Sequence, residues 1–246
     1  MIDWVSAFLP CTHFPLNAGM VCKVDPDGSL EWASPCRKSV EGSHEARITV
    51  KSHGSDGEGR ATHLYFSGNP SKFLQGHNLF GSDDIRALMT ETYHNLCTIL
   101  DLTPSVPDLK AITAGDYNLT RVDINYSFEL STRADVLAWL RAAELKSKTR
   151  HGRPTSKGGT VYWGKNSKRW SLKAYSKGEE IHAPKHRLPD TLMETPLPDW
   201  ADNKLRIELT LRSKELEELN LKAASTWDDR LPSTLFNGYI EGRQRF

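Results

Sequence analysis

The run Thr-Arg-Val-Asp-Ile-Asn-Tyr-Ser-Phe, residues 120–128, alternates polar and apolar side chains without a break. Successive side chains of a β-strand point to opposite faces of the sheet, so this alternation predicts a strand with one apolar and one polar face. The polar face would carry Arg121, Asp123, Asn125 and Ser127. The apolar face of such a strand can be buried in a core while its polar face holds reactive groups.

A second stretch, residues 204–212, repeats the alternation and places Arg206 and Glu208 on its polar face. We expect the two strands to pair and to bring Asp123 and Glu208 to one metal ion, because Mg²⁺ and Mn²⁺ prefer carboxylate oxygens. The alternative is a pair of solvated strand faces with exposed ion pairs, each of which contributes little to stability. The spacing alone leaves both interpretations open.

The composition is that of an ordinary globular protein: 38% of the 246 residues are hydrophobic, 26% are charged, and the net charge is +1. The length suits one large domain, or one domain with a small extension. The four cysteines form no Cys-x-x-Cys pair, which argues against a zinc site or a dithiol redox centre. No stretch approaches the roughly 20 apolar residues that span a bilayer, and the start of the chain lacks the basic residues of a signal peptide. We therefore expect a cytoplasmic protein without a membrane partner.

Turn signals and periodicity divide the chain into short elements. Strands are predicted over 2–9, 46–53 and 63–67, with hairpins over 22–32 and 160–177. Helices are predicted from Ser82 to about residue 101, after Ser131 or Thr132 and after Ser213, each at a residue that can cap a helix. The Gly-rich block 69–81 and the Pro-rich stretch 178–203 are predicted as loops, the first of them packed down by its large apolar residues.

This order of elements predicts an α+β fold, a central antiparallel or mixed β-sheet with helices packed on one face. The polar faces of the strands at 120–128 and 204–212 would then lie open to a substrate. The whole chain, 1–246, is predicted as a single domain, with a β-rich part up to about residue 65 and a helical extension over about 222–246.

The charge is unevenly distributed, because residues 146–187 contain twelve Lys and Arg residues but only two acids. Aromatic residues are interleaved with these cations, and the combination is typical of single-stranded DNA binding, in which cations meet phosphates and rings stack on bases. A solvated basic loop is the competing interpretation. The candidate DNA contacts in this segment are Lys165, Lys168, Arg169, Lys173, Trp163 and Trp170.

Tyr175 is a candidate nucleophile, because the alternation places it on the same strand face as Lys173 and Lys177. Adjacent ammonium groups would favour the phenolate, although the tyrosine could equally pack at a strand edge beside solubilising lysines. Tyr162, flanked by Trp163 and Lys165, is its rival. His77 could serve as a third metal ligand or could be a structural histidine bonded to nearby backbone.

The block Asn-Pro-Ser-Lys-Phe-Leu-Gln-Gly-His-Asn-Leu-Phe-Gly, residues 69–81, resembles the corresponding block of the filamentous-phage replication initiators, the endonucleases that start rolling-circle replication. Four further matches follow in the family's order, at 119–123, 160–163, 172–177 and 205–209. The plasmid initiators called Rep_trans share the Arg-x-Asp, Tyr-x-Lys and Arg-x-Glu elements. The resemblance spans about residues 65–221 and implies an HUH-nuclease-like fold, although the chain has no His-hydrophobe-His motif.

The resemblance implies a sequence-specific nick at a double-strand origin, in which a tyrosine attacks the phosphodiester, keeps the 5′ phosphate and frees a 3′-OH. Tyr175 aligns with the nucleophile of the phage family, and Tyr162 aligns with a tyrosine that only some relatives have. Lys177 lies where a basic residue would steady the phenolate or the phosphate. The implied cofactor is Mg²⁺ or Mn²⁺ on Asp123, Glu208 and His77, with Arg121 and Arg206 contacting DNA.

The implied partners are single-stranded or supercoiled origin DNA, a host helicase and a host DNA polymerase, all within a bacterial host cell. Two alternatives remain open at this point. The chain could be a hydrolytic metal-dependent nuclease without a covalent step, or a single-stranded-DNA-binding module without catalysis.

Overall fold

The computed structural model describes residues 1–148 and 152–242. Its strands are β1 (Ile2–His13), β2 (Met20–Val24), β3 (Leu30–Pro35), β4 (Lys38–Glu41), β5 (Arg47–His53), β6 (Ala61–Gly68), β7 (Asn118–Glu129), β8 (Thr155–Lys157), β9 (Thr160–Trp163), β10 (Trp170–Ser176) and β11 (Lys204–Arg212). Within the described residues, nine of these strands form one antiparallel sheet in the order β4-β5-β6-β1-β7-β11-β10-β9-β8, and β2 and β3 form a separate hairpin. The predicted α+β class with a central sheet is confirmed.

Most of the helices lie between strands in the chain. They are α1 (Pro70–Gln75), α2 (Ile85–Leu100), α3 (Val106–Ala114), α4 (Arg133–Lys146), α5 (Lys177–His182), α6 (Asp190–Met193), α7 (Leu197–Asp202), α8 (Ser213–Glu218) and α9 (Leu231–Ile240). None of the described helices is long and apolar enough to cross a membrane.

The strands β7 and β11 pair at the centre of the sheet, as their matching alternation predicts. Asn125 lies directly opposite Glu208, and Asp123 lies opposite Thr210. Directly opposite residues of an antiparallel pair point to the same face, so this register collects the polar side chains of both strands on one side. Their apolar side chains are therefore collected on the other side.

The apolar side of the sheet forms the core with helices packed on it. Phe236 of α9 contacts Tyr126 of β7, with ring centroids 4.7 Å apart. Val136 and Leu140 of α4 are buried in a second cluster of apolar residues near the β9–β10 side of the sheet. Burying each large side chain contributes about 1.5–3 kcal/mol. This packing fixes one side of the central strands, so their polar side chains are directed to the opposite side.

Two segments predicted as loops contain helices. In the block 69–81, Asn69 accepts a hydrogen bond from the Lys72 backbone N–H at 2.7 Å and caps α1. The stretch 178–203 contains α5, α6 and α7. For α1 and α7 the prediction was wrong because proline is compatible with the first turn of a helix, where its missing N–H needs no partner. The helix α3 begins in the same way, with Pro107 in its first turn and Ser105 as its cap. The helix α5 has no proline in its first turn and is capped by Ser176.

Helix caps confirm one predicted start and shift two others. Thr132 and Asp135 form a capping box at the start of α4. The helix α2 begins at Ile85 and is capped by Asp84 rather than by Ser82. Ser213 is the first residue of α8 rather than its cap.

The N-terminal strand is longer than predicted and lies inside the sheet. It runs to His13 rather than to residue 9, and it lies between β6 and β7. The predicted C-terminal extension contains α9, which packs on β7. Arg150 of the basic segment and residues 243–246 of the extension lie outside the described residues.

Candidate active site

The polar face of the central sheet is a buried cluster rather than an open surface. Asp123, Asn125 and Glu208 are 1%, 0% and 2% exposed. The expectation that this face lies open to a substrate is therefore wrong for its centre. A buried charge is tolerated only where partners compensate it. The contacts of each buried group therefore indicate which of its atoms remain available for chemistry.

Arg206 ties the cluster to the block at 69–81. Its guanidinium donates to the backbone carbonyls of Asn78 and Leu79, and its Nε donates to Ser127 Oγ at 2.9 Å. The side chain is 0% exposed. Arg206 was predicted to contact DNA, but this structure leaves its guanidinium no surface on which to do so. It anchors the 69–81 block onto the sheet instead.

The two predicted metal ligands have different surroundings. Asp123 accepts from Arg121 Nε at 2.8 Å with one oxygen and from Arg121 Nη2 with the other, so both of its oxygens are engaged. Glu208 forms an ion pair with Lys173 Nζ at 2.7 Å through Oε1, while its Oε2 is buried without a partner. Burial raises the pKa of Glu208 to about 8, and the neighbouring carboxylates of Asp3 and Asp123 add to this rise against the opposing effect of Lys173.

His77 is not brought to these carboxylates. Its Nδ1 accepts a 3.3 Å hydrogen bond from the Leu79 backbone, and its ring lies edge-on to Phe80. Burial, with the charge of Lys177, lowers the pKa of His77 and so favours its neutral form. Among the residues that the structure describes, no three His, Cys, Asp or Glu side chains lie close enough together to hold a metal. The three predicted ligands therefore do not form one ligand set.

A hard divalent cation nevertheless suits part of this face. The free Oε2 of Glu208 is the kind of donor that Mg²⁺ and Mn²⁺ take. Asn125 lies directly opposite with an unpartnered amide oxygen, and amide oxygens are also ligands of hard cations. The residues thus fit such an ion through oxygen atoms of β7 and β11.

Asp3 belongs to the same cluster and was missed from the sequence. Its Oδ1 accepts 2.8 Å hydrogen bonds from Asn69 Nδ2 and from Asn78 Nδ2. Its charge acts on Glu208 and Tyr175, among other groups of the cluster. A lone acid in an otherwise apolar strand was the available signal, because a buried carboxylate requires partners.

Tyr175 lines a cleft of about 490 Å³ on the polar side, together with Tyr162, Lys173, Glu180 and His186. The residue is 6% exposed. Burial raises the pKa of the Tyr175 phenol well above its ordinary value, and the charges of Glu180 and Glu208 raise it further. The expectation that neighbouring lysines favour the phenolate has the wrong sign, because burial dominates and the nearby carboxylates oppose ionisation.

Lys173, rather than Lys177, is the lysine that lies next to the Tyr175 ring. The Lys173 Nζ lies 5.4 Å from the centroid of the Tyr175 ring. Lys177 is the first residue of α5, where its buried Nζ donates to Asn78 Oδ1 at 2.9 Å and forms an ion pair with Glu180. Burial lowers its pKa. Tyr162 is half-buried opposite Lys173, and Lys165 lies over its ring at 4.6 Å.

The predicted DNA contacts are divided between the two faces of the sheet. Trp163 and Trp170 line a groove of about 1070 Å³ beside α4 and α9, on the apolar side. Arg169 forms ion pairs with Glu215 and Glu218 of α8. Lys165 and Lys168 are exposed in the turn between β9 and β10. In the described part of this segment, the basic and aromatic residues therefore do not form one continuous surface next to Tyr175.

Fold and site together define an α+β protein in which a tyrosine and buried carboxylates share the polar face of an antiparallel sheet, an arrangement compatible with an HUH-nuclease-like fold. A family model that describes the N-terminal part of a phage replication-associated protein matches residues 1–230. A replication-associated protein of Enterobacteria phage I2-2 is 51% identical over 242 residues, which cover 98% of this chain and 70% of that protein. The chain belongs to this family of phage replication-associated proteins.

Proposed function

We propose that the chain is a rolling-circle replication initiator that nicks and rejoins origin DNA through a 5′-phosphotyrosyl intermediate. The observation that carries the proposal is the arrangement of Tyr175, Lys173 and Glu208 on one face of two paired strands. A nucleophile, a cation and a carboxylate are the groups that a phosphoryl transfer requires. The phage relative and the family model supply the replication context.

In the proposed reaction the Tyr175 oxygen attacks the scissile phosphorus, an O–P bond to tyrosine forms, and the bond from phosphorus to the 3′ oxygen breaks. The phenol loses a proton, and the departing 3′ oxygen gains one. Glu180 shares the cleft with Tyr175 and is our candidate acceptor of the phenol proton. The reverse attack by a 3′-OH rejoins the strand, because the phosphotyrosyl bond conserves the energy of the phosphodiester.

Lys173 has the central electrostatic role in this proposal. Its ammonium group contacts the Glu208 carboxylate and the Tyr175 ring, and the residue lines the cleft that the phosphate would enter. Positive charge at that position stabilises the negative charge that develops on the phosphoryl group. When bound by Glu208 and its neighbours, Mg²⁺ or Mn²⁺ would supply Lewis-acid polarisation of the same phosphate.

We also propose that single-stranded origin DNA reaches the cleft along the turn between β9 and β10, where Lys165 and Lys168 would contact phosphates. The free 3′-OH would then be extended by a host DNA polymerase, and a host helicase would separate the strands. The setting of this reaction is the cytoplasm of a bacterial host.

The test is the transfer of label from 3′-end-labelled single-stranded origin DNA to the protein in the presence of Mg²⁺ or Mn²⁺. We expect a covalent adduct that resists denaturation and is abolished by Tyr175→Phe. Adduct formation by Tyr175→Phe together with its loss in Tyr162→Phe would assign the nucleophile to Tyr162. Cleavage without any adduct would identify a hydrolytic nuclease, and binding without cleavage would identify a DNA-binding module.

A further inference from the structure

The polar face of the sheet continues beyond the buried cluster onto β1 and β6, where aromatic side chains are partly exposed. Trp4 of β1 lies opposite Asp123 of β7, and Phe8 of β1 lies opposite Tyr65 of β6. Opposite residues share a face, and so do alternate residues of one strand. The rings of Trp4, Phe8 and Tyr65 are half-buried. They define the outer polar face, which solvent reaches.

The rings of the outer polar face are held in place by their neighbours. The centroid of the Phe8 ring lies 5.0 Å from that of Tyr65 and 4.5 Å from that of His53 on β5. The Trp4 indole donates from Nε1 to Ser6 Oγ at 3.3 Å. Partly exposed rings that are fixed on a strand surface are the groups on which unpaired nucleobases stack.

The charges of the outer polar face are positive. After Asp3, β1 contains no acid, and neither β5 nor β6 contains one. The guanidinium of Arg121 lies 5.3 Å from the centroid of the Trp4 ring, and that of Arg37 lies 5.7 Å from the centroid of the Tyr65 ring. Rings and cations together suit a ligand that is both aromatic and anionic, as single-stranded DNA is.

Two arginines of this face oppose each other on paired strands. Arg121 of β7 and Arg212 of β11 are directly opposite, and like charges in that position destabilise a sheet. Asp123 compensates Arg121. Arg212 donates to the neutral Ser171 Oγ at 3.2 Å and forms no ion pair among the described residues. A phosphate between the two guanidinium groups would compensate the second charge.

The two arginines lie between the cleft and the rings. The strands β10, β11, β7 and β1 are consecutive in the sheet. Neighbouring strands are about 4.8 Å apart, so Tyr175 on β10 and Phe8 on β1 are separated by three spacings, roughly 15 Å across the sheet. A phosphodiester chain that enters the cleft can therefore continue over Arg212 and Arg121 to the rings.

We infer that the outer polar face is a subsite for single-stranded DNA, in which Trp4, Phe8 and Tyr65 stack on unpaired bases and Arg121 and Arg212 hold a phosphate. The subsite lies on the other side of the cleft from the turn between β9 and β10. The inference rests on the proposed function for its choice of DNA as the ligand.

The experiment measures the binding of a short fluorescent oligothymidylate by anisotropy, next to an abasic strand of the same length. Phe8→Leu and Tyr65→Leu should each bind oligothymidylate at least about fivefold more weakly, because a stacking ring is lost. Neither should change the affinity for the abasic strand or the salt dependence. Arg212→Met should weaken the binding of both strands and reduce the slope of log affinity against log salt by about 0.7.

Tyr65→Phe keeps the ring and should retain wild-type affinity, which separates stacking from a loss of folding. Trp139→Leu is the matched control, because Trp139 is 38% exposed on α4, on the opposite side of the sheet. It should bind both strands as the wild type does.

Wild-type affinity for oligothymidylate in both Phe8→Leu and Tyr65→Leu would overturn the inference. So would an equal weakening of both strands in these variants, or the absence of oligothymidylate binding by the wild type at low salt. Tighter binding of oligouridylate would identify RNA as the occupant instead. Ring-dependent DNA binding without any covalent adduct would leave the inference intact and refute the proposed function, whereas an adduct with ring-independent binding would do the reverse.

Discussion

Replacing Arg206 by methionine separates a structural role of this residue from a DNA-binding role. The guanidinium makes three hydrogen bonds, two to the carbonyls of Asn78 and Leu79 and one to Ser127. A hydrogen bond from a charged donor contributes roughly 1.5 kcal/mol or more, so three of them are worth about 4–5 kcal/mol. Part of this loss is offset, because the variant no longer bears the desolvation cost of a fully buried charge. We expect Arg206→Met to lower the free energy of unfolding by roughly 3 kcal/mol.

The assay is equilibrium unfolding in urea, followed by tryptophan fluorescence at neutral pH. With a denaturant slope of about 2–3 kcal/mol per molar, the predicted loss moves the midpoint down by about 1–1.5 M. Arg212→Met is the matched control, because Arg212 lies on the same strand but is only half-buried and bonds to Ser171 Oγ at 3.2 Å. Arg212→Met should lower the free energy of unfolding by less than about 1 kcal/mol. An unchanged midpoint for Arg206→Met, combined with weaker DNA binding, would refute the structural role.

Three further predictions concern the core, the phenol and the basic turn. Trp227 is 1% exposed and donates from Nε1 to the Leu221 carbonyl at 3.0 Å, so Trp227→Ala should cost about 3–5 kcal/mol in urea unfolding, whereas the same change at the exposed Trp32 should cost far less. Because burial raises the pKa of Tyr175, its contribution to stability is complete below the ordinary tyrosine pKa near 10 and is lost as pH rises from there towards the raised value. Above about pH 10, the free energy of unfolding should therefore fall less steeply with pH in Tyr175→Phe than in the wild type. An equal fall in the two proteins would show that burial does not hold the Tyr175 phenol in its neutral form. Lys165→Ala and Lys168→Ala should each reduce the slope of log affinity for single-stranded DNA against log salt by about 0.7, and an unchanged slope would exclude phosphate contacts from this turn.

Local sequence patterns predicted the strands and helix starts that depend only on side-chain alternation and on capping residues. The alternation in 120–128 and 204–212 predicted two strands, and their pairing follows from similar lengths and matching apolar faces. A cap at Ser131 or Thr132 was predicted for α4, and Thr132 is the cap because it forms a capping box with Asp135. The helices α6 and α7 were missed because a proline gives the same local signal whether it ends one helix or begins the next.

The candidate site was predictable in part. Alternation placed Asp123 and Glu208 on one face, and register confirmed it. The burial of Asn125 was not visible, because an amide on a polar strand face is ordinary until both of its polar atoms prove to be buried without partners. The separation of Trp163 from Tyr175 also depended on register. Trp163 pairs with Leu172 and so lies on the apolar face, whereas its neighbour Tyr162 pairs with Lys173 and lies on the same face as Tyr175.

The sequence by itself determined the α+β class, the two amphipathic strands and the set of residue types that can transfer a phosphoryl group, because these depend on periodicity and side-chain chemistry. Only the tertiary structure decided which of those groups are buried. Arg206 anchors the 69–81 block over the polar face, and that distant contact helps to turn a solvated strand face into an interior with different charges and pKa values. Desolvation depends on every segment that packs around a group, so neighbours along the chain cannot reveal it.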